Sequence, residues 1–245
     1  MPLSTAFDAV DVTRVGTLQT QVAARLATAG SLLEASQRLA QFIVETFAGS
    51  VELARVYATM PYVKLPPDDQ RFVRRLVGDE ANARLKPTTR VLSLLGTAGV
   101  EPEWNDRARS QGHRGIPLLD ARSVEAIPMV ARMLGELGVD LKVFDAPDIA
   151  TRRLLGGING LFYVEDAASA LDRAGRRIIP ADDFIARHGI RTVFGMGGSY
   201  LGGEVVVAII FCREHVARET AERFGLLIQQ FKISTTQLVG FDQIF

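Results

Sequence analysis

Residues 194–203 read FGMGGSYLGG, five glycines in ten positions between two apolar segments. Glycine crowding of this kind either cradles a phosphate or turns the chain between two strands. A phosphate-binding G-x-G-x-x-G follows a strand and opens a helix, because the helix N-terminus supplies free amide donors and the positive end of a dipole. Gly195, Gly197 and Gly198 do follow an apolar stretch. What comes next is EVVVAIIFCR, residues 204–213, which is a strand and not a helix, and no Lys-Ser or Lys-Thr pair follows. The run is therefore read as a hairpin, with positive-φ glycines in its loop and a bulge in its strand.

The flanks extend this reading. Val205 to Cys212 is apolar at consecutive positions, which marks a central strand covered on both faces. Ile190 to Gly195 is its neighbour. Pro180 to His188 reads as a helix with proline at its first position, Asp182 and Asp183 in the first turn, Arg187 and His188 in the last, and Gly189 beyond. After the hairpin a helix runs from about Val216 to Val239. Its Ala217, Ala221, Phe224, Ile228, Phe231, Thr235 and Leu238 form a heptad seam, and the helix is long for one small sheet, so part of it is expected to pack on its own sheet and part to pair with a second copy.

Upstream, Ser31 and Glu34 make a capping box for a helix that Gly49 stops. Val51 to Tyr62 and Arg90 to Leu95 read as strands, and Pro66 to Val77 as a short helix between them. Residues 96–115 read as irregular. Ser123 to Leu137 reads as one helix capped by Ser123, with Pro128 marking a kink or a late start. Leu161 to Val164 is a short strand. Residues 1–30 read as a peripheral helical extension, and residues 31–245 as one domain ending in a long dimerisation helix. Adjacent strands joined by a turn, with helices before, between and after, define an α+β domain with an antiparallel sheet.

Bulk composition excludes some functions. Lys plus Arg and Asp plus Glu each number 28, so no basic excess points to nucleic acid. No apolar run is long enough to span a membrane as a helix, and the first residues carry no signal-peptide pattern. The single cysteine, Cys212, rules out an internal disulfide and fits a reducing, cytoplasmic setting. Its place at the end of an apolar strand suggests a buried, inert thiol.

Chemistry-bearing residues are sparse. His113, His188 and His215 lie too far apart for a helical metal pair. Ser110 and His113 are close in sequence, but no G-x-S-x-G elbow exists. The pairs Asp68-Asp69 and Asp182-Asp183 sit where first helical turns favour acids. The doublets Arg74-Arg75, Arg152-Arg153 and Arg176-Arg177 read as solvated surface. The densest set of donors lies around the only tryptophan: Trp104, Asn105, Arg107, Arg109, Ser110, Gln111, His113 and Arg114. Such a loop is either a ligand site or a solvated segment anchored by its tryptophan.

The stretch GIRTVFGMGGSYLGGEVVVAIIFCREHVARETAERF, residues 189–224, resembles a GAF domain. It is similar in particular to GAF-like sensory regions ahead of bacterial histidine kinases, as are residues 89–118 and the PMVARMLGELGV that follows them. The resemblance spans about residues 31–240. It implies a central antiparallel sheet flanked by helices on both faces, a small-molecule pocket under the variable middle segment, and dimerisation through end helices. It further implies a non-catalytic sensory or regulatory domain whose partner is a histidine kinase or another signalling protein. No cofactor is specified. Carried onto this chain, the pocket would be walled by Leu161 to Asp166, His188 to Met196 and the Trp104–Arg114 loop. The candidate ligand-binding residues are Trp104, Asn105, Arg107, Ser110, His113, Phe162, Tyr163, Arg191 and Met196. Two alternatives stand beside this: a structural dimerisation module whose pocket is filled by its own side chains, and a haem or metal sensor ligated by His113 or His188.

Overall fold

The strand that the sequence marks as central is central. Val205–Cys212 is buried at every position, and it pairs antiparallel with Val51–Pro61 on one side and Thr192–Ser199 on the other. The computed structural model describes Phe7 and residues 10–110, 113–145 and 159–245. The strands are β1 (Val51–Pro61), β2 (Arg90–Gly99), β3 (Gly115–Pro117), β4 (Asn159–Val164), β5 (Thr192–Ser199) and β6 (Val205–Cys212). They form one antiparallel sheet in the order β3-β2-β1-β6-β5-β4. The helices are α1 (Val12–Leu26), α2 (Leu32–Thr46), α3 (Pro67–Asn82), α4 (Ala121–Glu125), α5 (Pro128–Glu136), α6 (Asp182–His188), α7 (Arg218–Arg223) and α8 (Gly225–Gly240).

Side-chain alternation divides this sheet into two cores. One face of β1 sends Ala54, Val56 and Ala58 into a cluster with α1, α2, α7 and α8. The other sends Leu53 and Tyr57 into a second cluster with α4, α5, α6 and the segments around them. The result is the α+β architecture that the resemblance implied, a central antiparallel sheet with helices on both faces.

The glycine run is a hairpin, but the glycines do a different job from the one expected. Gly195, Gly197 and Gly198 lie inside β5 and pair one-to-one with Ile209, Val207 and Val206, with no bulge in the ladder. The turn proper is residues 200–203, and only Gly203 in it has a positive φ, 83°. Gly197 is small because α5 ends on it: a Cβ there would sit 2.8 Å from the Leu137 side chain. A tighter approach occurs across the sheet. A Cβ on Gly96 would lie 2.2 Å from the Ser36 carbonyl oxygen, so α2 rests on β2 backbone to backbone.

Several local expectations are corrected. The strand read as ending at Leu95 continues to Gly99, so only the segment after it is irregular. The helix expected over Ser123–Leu137 is two helices. Asp120 caps α4, with Ser123 as its capping-box partner three residues on, and Pro128 takes the first turn of α5. Pro180 precedes α6 rather than opening it. The Ser31 hydroxyl does accept the Glu34 N–H, but Glu34 reaches back to the N–H of Gly30 and not to that of Ser31. Arg152 and Arg153 lie outside the described residues.

The N-terminal helix is not peripheral. Val15, Leu18, Val22 and Leu26 are buried, and Phe7 stacks on Phe47 at 4.4 Å between ring centroids. Phe194 and Phe224 complete that aromatic cluster. The heptad seam is likewise consumed inside the protomer. Ala221, Phe224, Ile228, Phe231 and Thr235 are buried in the same core, where the Thr235 hydroxyl meets the Tyr200 hydroxyl at 2.7 Å.

Two glycine substitutions separate these roles. Gly96→Ala should destabilise by about 3 kcal/mol or more, because the new methyl meets backbone that cannot move aside. Gly16→Ala should stabilise by about 0.5–1 kcal/mol, since Gly16 is exposed within α1 and nothing lies near its Cβ position. Urea denaturation of the two variants checks both signs.

Candidate functional site

The second core is incompletely filled. A cavity of about 230 Å³ lies between the sheet and its cover. Its floor is the sheet face built by alternation: Leu53, Arg55 and Tyr57 of β1, Leu92 of β2, and Ile209 and Phe211 of β6. One wall is the α5 region, with Ile127, Met129, Val130 and Met133. The opposite wall is the approach to α6, with Ile179, Pro180, Ala181 and Phe184. Trp104, His113 and Ile116 close the third side.

Trp104 is held from three directions. The Thr97 hydroxyl of β2 donates to its carbonyl at 2.8 Å. Its ring lies over Gly99, where a Cβ would be 2.7 Å away. On its other side it packs edgewise against His188 and Phe184, at 4.7 and 5.4 Å between centroids. His188 is positioned in turn by the buried carboxylate of Glu52, 3.4 Å from its Nδ1, and Arg213 binds the same carboxylate at 2.5 Å.

The loop after Trp104 is pinned by one buried acid. Asp69 of α3 receives Arg114 at 2.6 Å and also pairs with Arg107, whose Nε donates to the Leu94 carbonyl at 2.8 Å. Asp69 does lie in the first turn of α3, as expected, and it is 1% exposed. Removing it would leave two guanidinium groups without their shared counter-charge, and that makes it a positioning residue for the loop.

Of the nine residues predicted for the site, the structure brings Trp104 and His113 to the cavity. Asn105 spends its side chain on the turn, bonding the backbone N–H and carbonyl of Gly99 and the carbonyl of Glu101. Arg107 is engaged with Asp69. Ser110 borders a neighbouring polar cleft together with Arg55, Glu103 and Asp106. Phe162 is packed in the second core without lining the cavity. Tyr163 and Met196 point to the opposite face of the sheet, where the Tyr163 hydroxyl donates to the Val216 carbonyl at 2.8 Å. Arg191 is exposed and away from the cavity. Gln111, named with the same loop, lies outside the described residues. The expected walls at Leu161–Asp166 and His188–Met196 are replaced by β1, α5 and the approach to α6.

The cavity is apolar with few polar groups, and they converge. The Arg55 guanidinium lies 3.5 Å from the Tyr57 hydroxyl, and Arg55 Nε is buried without a hydrogen-bond partner. His113 is exposed to solvent by area but lines the cavity, where surrounding atoms partly desolvate it. That desolvation, together with repulsion from Arg55, holds its pKa below the ordinary histidine value. Cys212 lies on the other face of the sheet, and burial pushes its thiol pKa well up. Among the described residues, no group of three or more His, Cys, Asp or Glu side chains converges as a metal site would require.

Solved structures similar to this chain include GAF domains. One is the phycoerythrobilin-bound GAF domain of a cyanobacterial phytochrome, at 12% identity and a TM-score of 0.46, covering 95% of this chain and 98% of that one. Another is the GAF domain of a phosphoenolpyruvate-protein phosphotransferase from Coxiella burnetii, at 10% identity and a TM-score of 0.47, covering 95% and 99%. No family model and no curated protein matches.

The Cys212 environment has a direct consequence. In the native protein the thiol should fail to react with Ellman's reagent at pH 8, and one equivalent should react once denaturant is added.

Proposed function

We propose that this chain is a GAF-like sensory or regulatory domain that binds a small molecule in the cavity between β1 and α5 and performs no chemistry on it. The observation that carries this reading is the cavity itself. It is enclosed mainly by apolar side chains, it contains a few convergent polar groups, and it lies beneath the segment between β3 and β5. A module with a self-filled pocket would have Trp104 and Phe162 packed across this space. Instead Trp104 forms one side of an open volume and Phe162 lies outside it. The haem or metal reading finds little support at His188, whose Nδ1 faces Glu52 and whose ring is packed by Trp104 and Phe184.

Signal output in this reading passes through pairing of two copies and onward to a histidine kinase or another signalling protein. The buried seam leaves the outward side of α8 for pairing, where Leu226 and Ile233 are 45% and 71% exposed two turns apart. A cytoplasmic setting accords with the single unoxidised cysteine, and no helix among the described residues is long and apolar enough to cross a membrane.

Two measurements test the proposal. A ligand at a hundred times its Kd should add about 2.7 kcal/mol and raise the melting temperature. Val130→Phe, which fills the cavity from α5, should abolish that rise, and a broad small-molecule screen without any hit removes the binding claim. Light scattering should return twice the 26.7 kDa chain mass. Ile233→Glu should return a monomer with an unchanged fold, and a monomeric parent protein overturns the pairing.

A further inference from the structure

Arg55 is the anomaly of the cavity. It stands in the middle of β1, in the stretch VELARVYATMP, flanked on its own face by Leu53 and Tyr57. Central strands carry a charge facing the core only at a cost, unless something neutralises it. No carboxylate among the described residues forms an ion pair with Arg55. Arg55 is half-buried; its guanidinium reaches the Tyr57 hydroxyl, itself a neutral group, and its Nε is buried and unbonded. Glu103 and Asp106 line a neighbouring cleft that Arg55 and Trp104 also border, and neither acid forms an ion pair with Arg55. Elsewhere in the fold, buried and half-buried arginines of this chain find acids: Arg107 and Arg114 share Asp69, and Arg38 pairs with Glu34.

We infer that the cavity takes a small carboxylic acid with an apolar, ring-sized body, its carboxylate seated on Arg55 beside Tyr57 and His113 and its body against Trp104, Phe184, Met133 and Ile209. This rests on the reading of the cavity as a ligand site and names the class of ligand. The charge is fixed by arithmetic: one unpaired guanidinium matches a monoanion. A phosphate monoester would bring a second negative charge into a chamber whose other walls are apolar, where its desolvation goes uncompensated. The volume agrees with a small ligand: about 230 Å³ falls below the roughly 300–1,000 Å³ of pockets that take drug-sized molecules. A planar carboxylate also suits the guanidinium fork, which offers two parallel donors.

The test uses a reporter the protein already contains. Trp104 is the only tryptophan in the sequence and forms a side of the cavity, so its intrinsic fluorescence reads occupancy. The probes are phenylacetate and 3-phenylpropionate, their neutral amides, and phenyl phosphate, titrated into the intact 245-residue chain. The acids should change Trp104 emission saturably and bind at least about tenfold more tightly than the amides, the discrimination expected of a charge-assisted hydrogen-bonded pair. Arg55→Met should remove that preference while amide binding persists, and Arg55→Lys should restore part of it. Circular dichroism of both variants establishes that they fold. If the amides bind as well as the acids, or Arg55→Met leaves acid binding intact, the anion assignment is wrong and the cavity reading survives. Tighter binding of phenyl phosphate than of the acids also overturns the monoanion assignment. If neither acids nor amides bind, while Val130→Phe leaves Trp104 emission unchanged, the cavity reading and this inference fall together.

Discussion

Everything on the cavity side of the sheet depends on how closely α2 lies on the other side. Gly96 lets the Ser36 carbonyl come within a distance that any side chain would forbid. From that seat the next residue, Gln37, bonds the backbone of Thr97 twice, accepting from its N–H at 3.1 Å and donating to its carbonyl at 2.8 Å. A side-chain amide thus stands in for the neighbouring strand that β2 lacks at this level, because β3 pairs only with Val91 to Ser93. Thr97, held in this way, presents its hydroxyl to Trp104. One backbone contact therefore sets the position of the aromatic ring that closes the cavity.

The two faces of the sheet answer different demands. The face carrying α1, α2, α7 and α8 is sealed. It clusters four phenylalanines, Phe7, Phe47, Phe194 and Phe224, and joins the Tyr200 and Thr235 hydroxyls, while the Ser36 and Ser93 hydroxyls are buried without a hydrogen-bond partner among the described residues. The face carrying α4, α5 and α6 is looser, with short helices, irregular connections, an open volume and an unbonded arginine nitrogen. Rigidity on one side and vacancy on the other is the arrangement a binding domain requires, since a site is precise only when the elements beneath it do not yield.

How much of this was legible in the sequence follows from which interactions are local. β6 was legible because eight consecutive apolar residues need two covered faces. The C-terminal end of α6 was legible because its basic residues and its glycine lie within one turn, and Gly189 does adopt the left-handed conformation there, whereas the start was placed two residues early at Pro180. The glycines of β5 were recognised as part of a hairpin but given the wrong reason, since Gly197 accommodates Leu137, sixty residues earlier in the chain. The heptad seam was real as a pattern. Periodicity states that a stripe is buried, not whose atoms bury it, and here α1 and α2 do. The site was the least legible part. Trp104 and His113 were found because the loop around them is rich in donors. Arg55 was passed over inside an apolar strand, although its alternation with Leu53 and Tyr57 was the available signal: a lone cation facing the core. Asp69 was hidden for a similar reason, because its partners Arg107 and Arg114 are brought to it only by the fold.

The segment after α8 turns back onto the start of α2. The carbonyls of Gln243 and Ile244 accept the N–H groups of Leu32 and Leu33, at 2.9 and 2.8 Å, and Asp242 pairs with Lys64 beside them. These amides are among the four that a helix cannot satisfy itself. α2 is thereby clamped at its first turn by residues 243–244 and pressed at Ser36 onto β2. One helix thus touches both the segment after α8 and the stretch of β2 whose Thr97 hydroxyl holds Trp104.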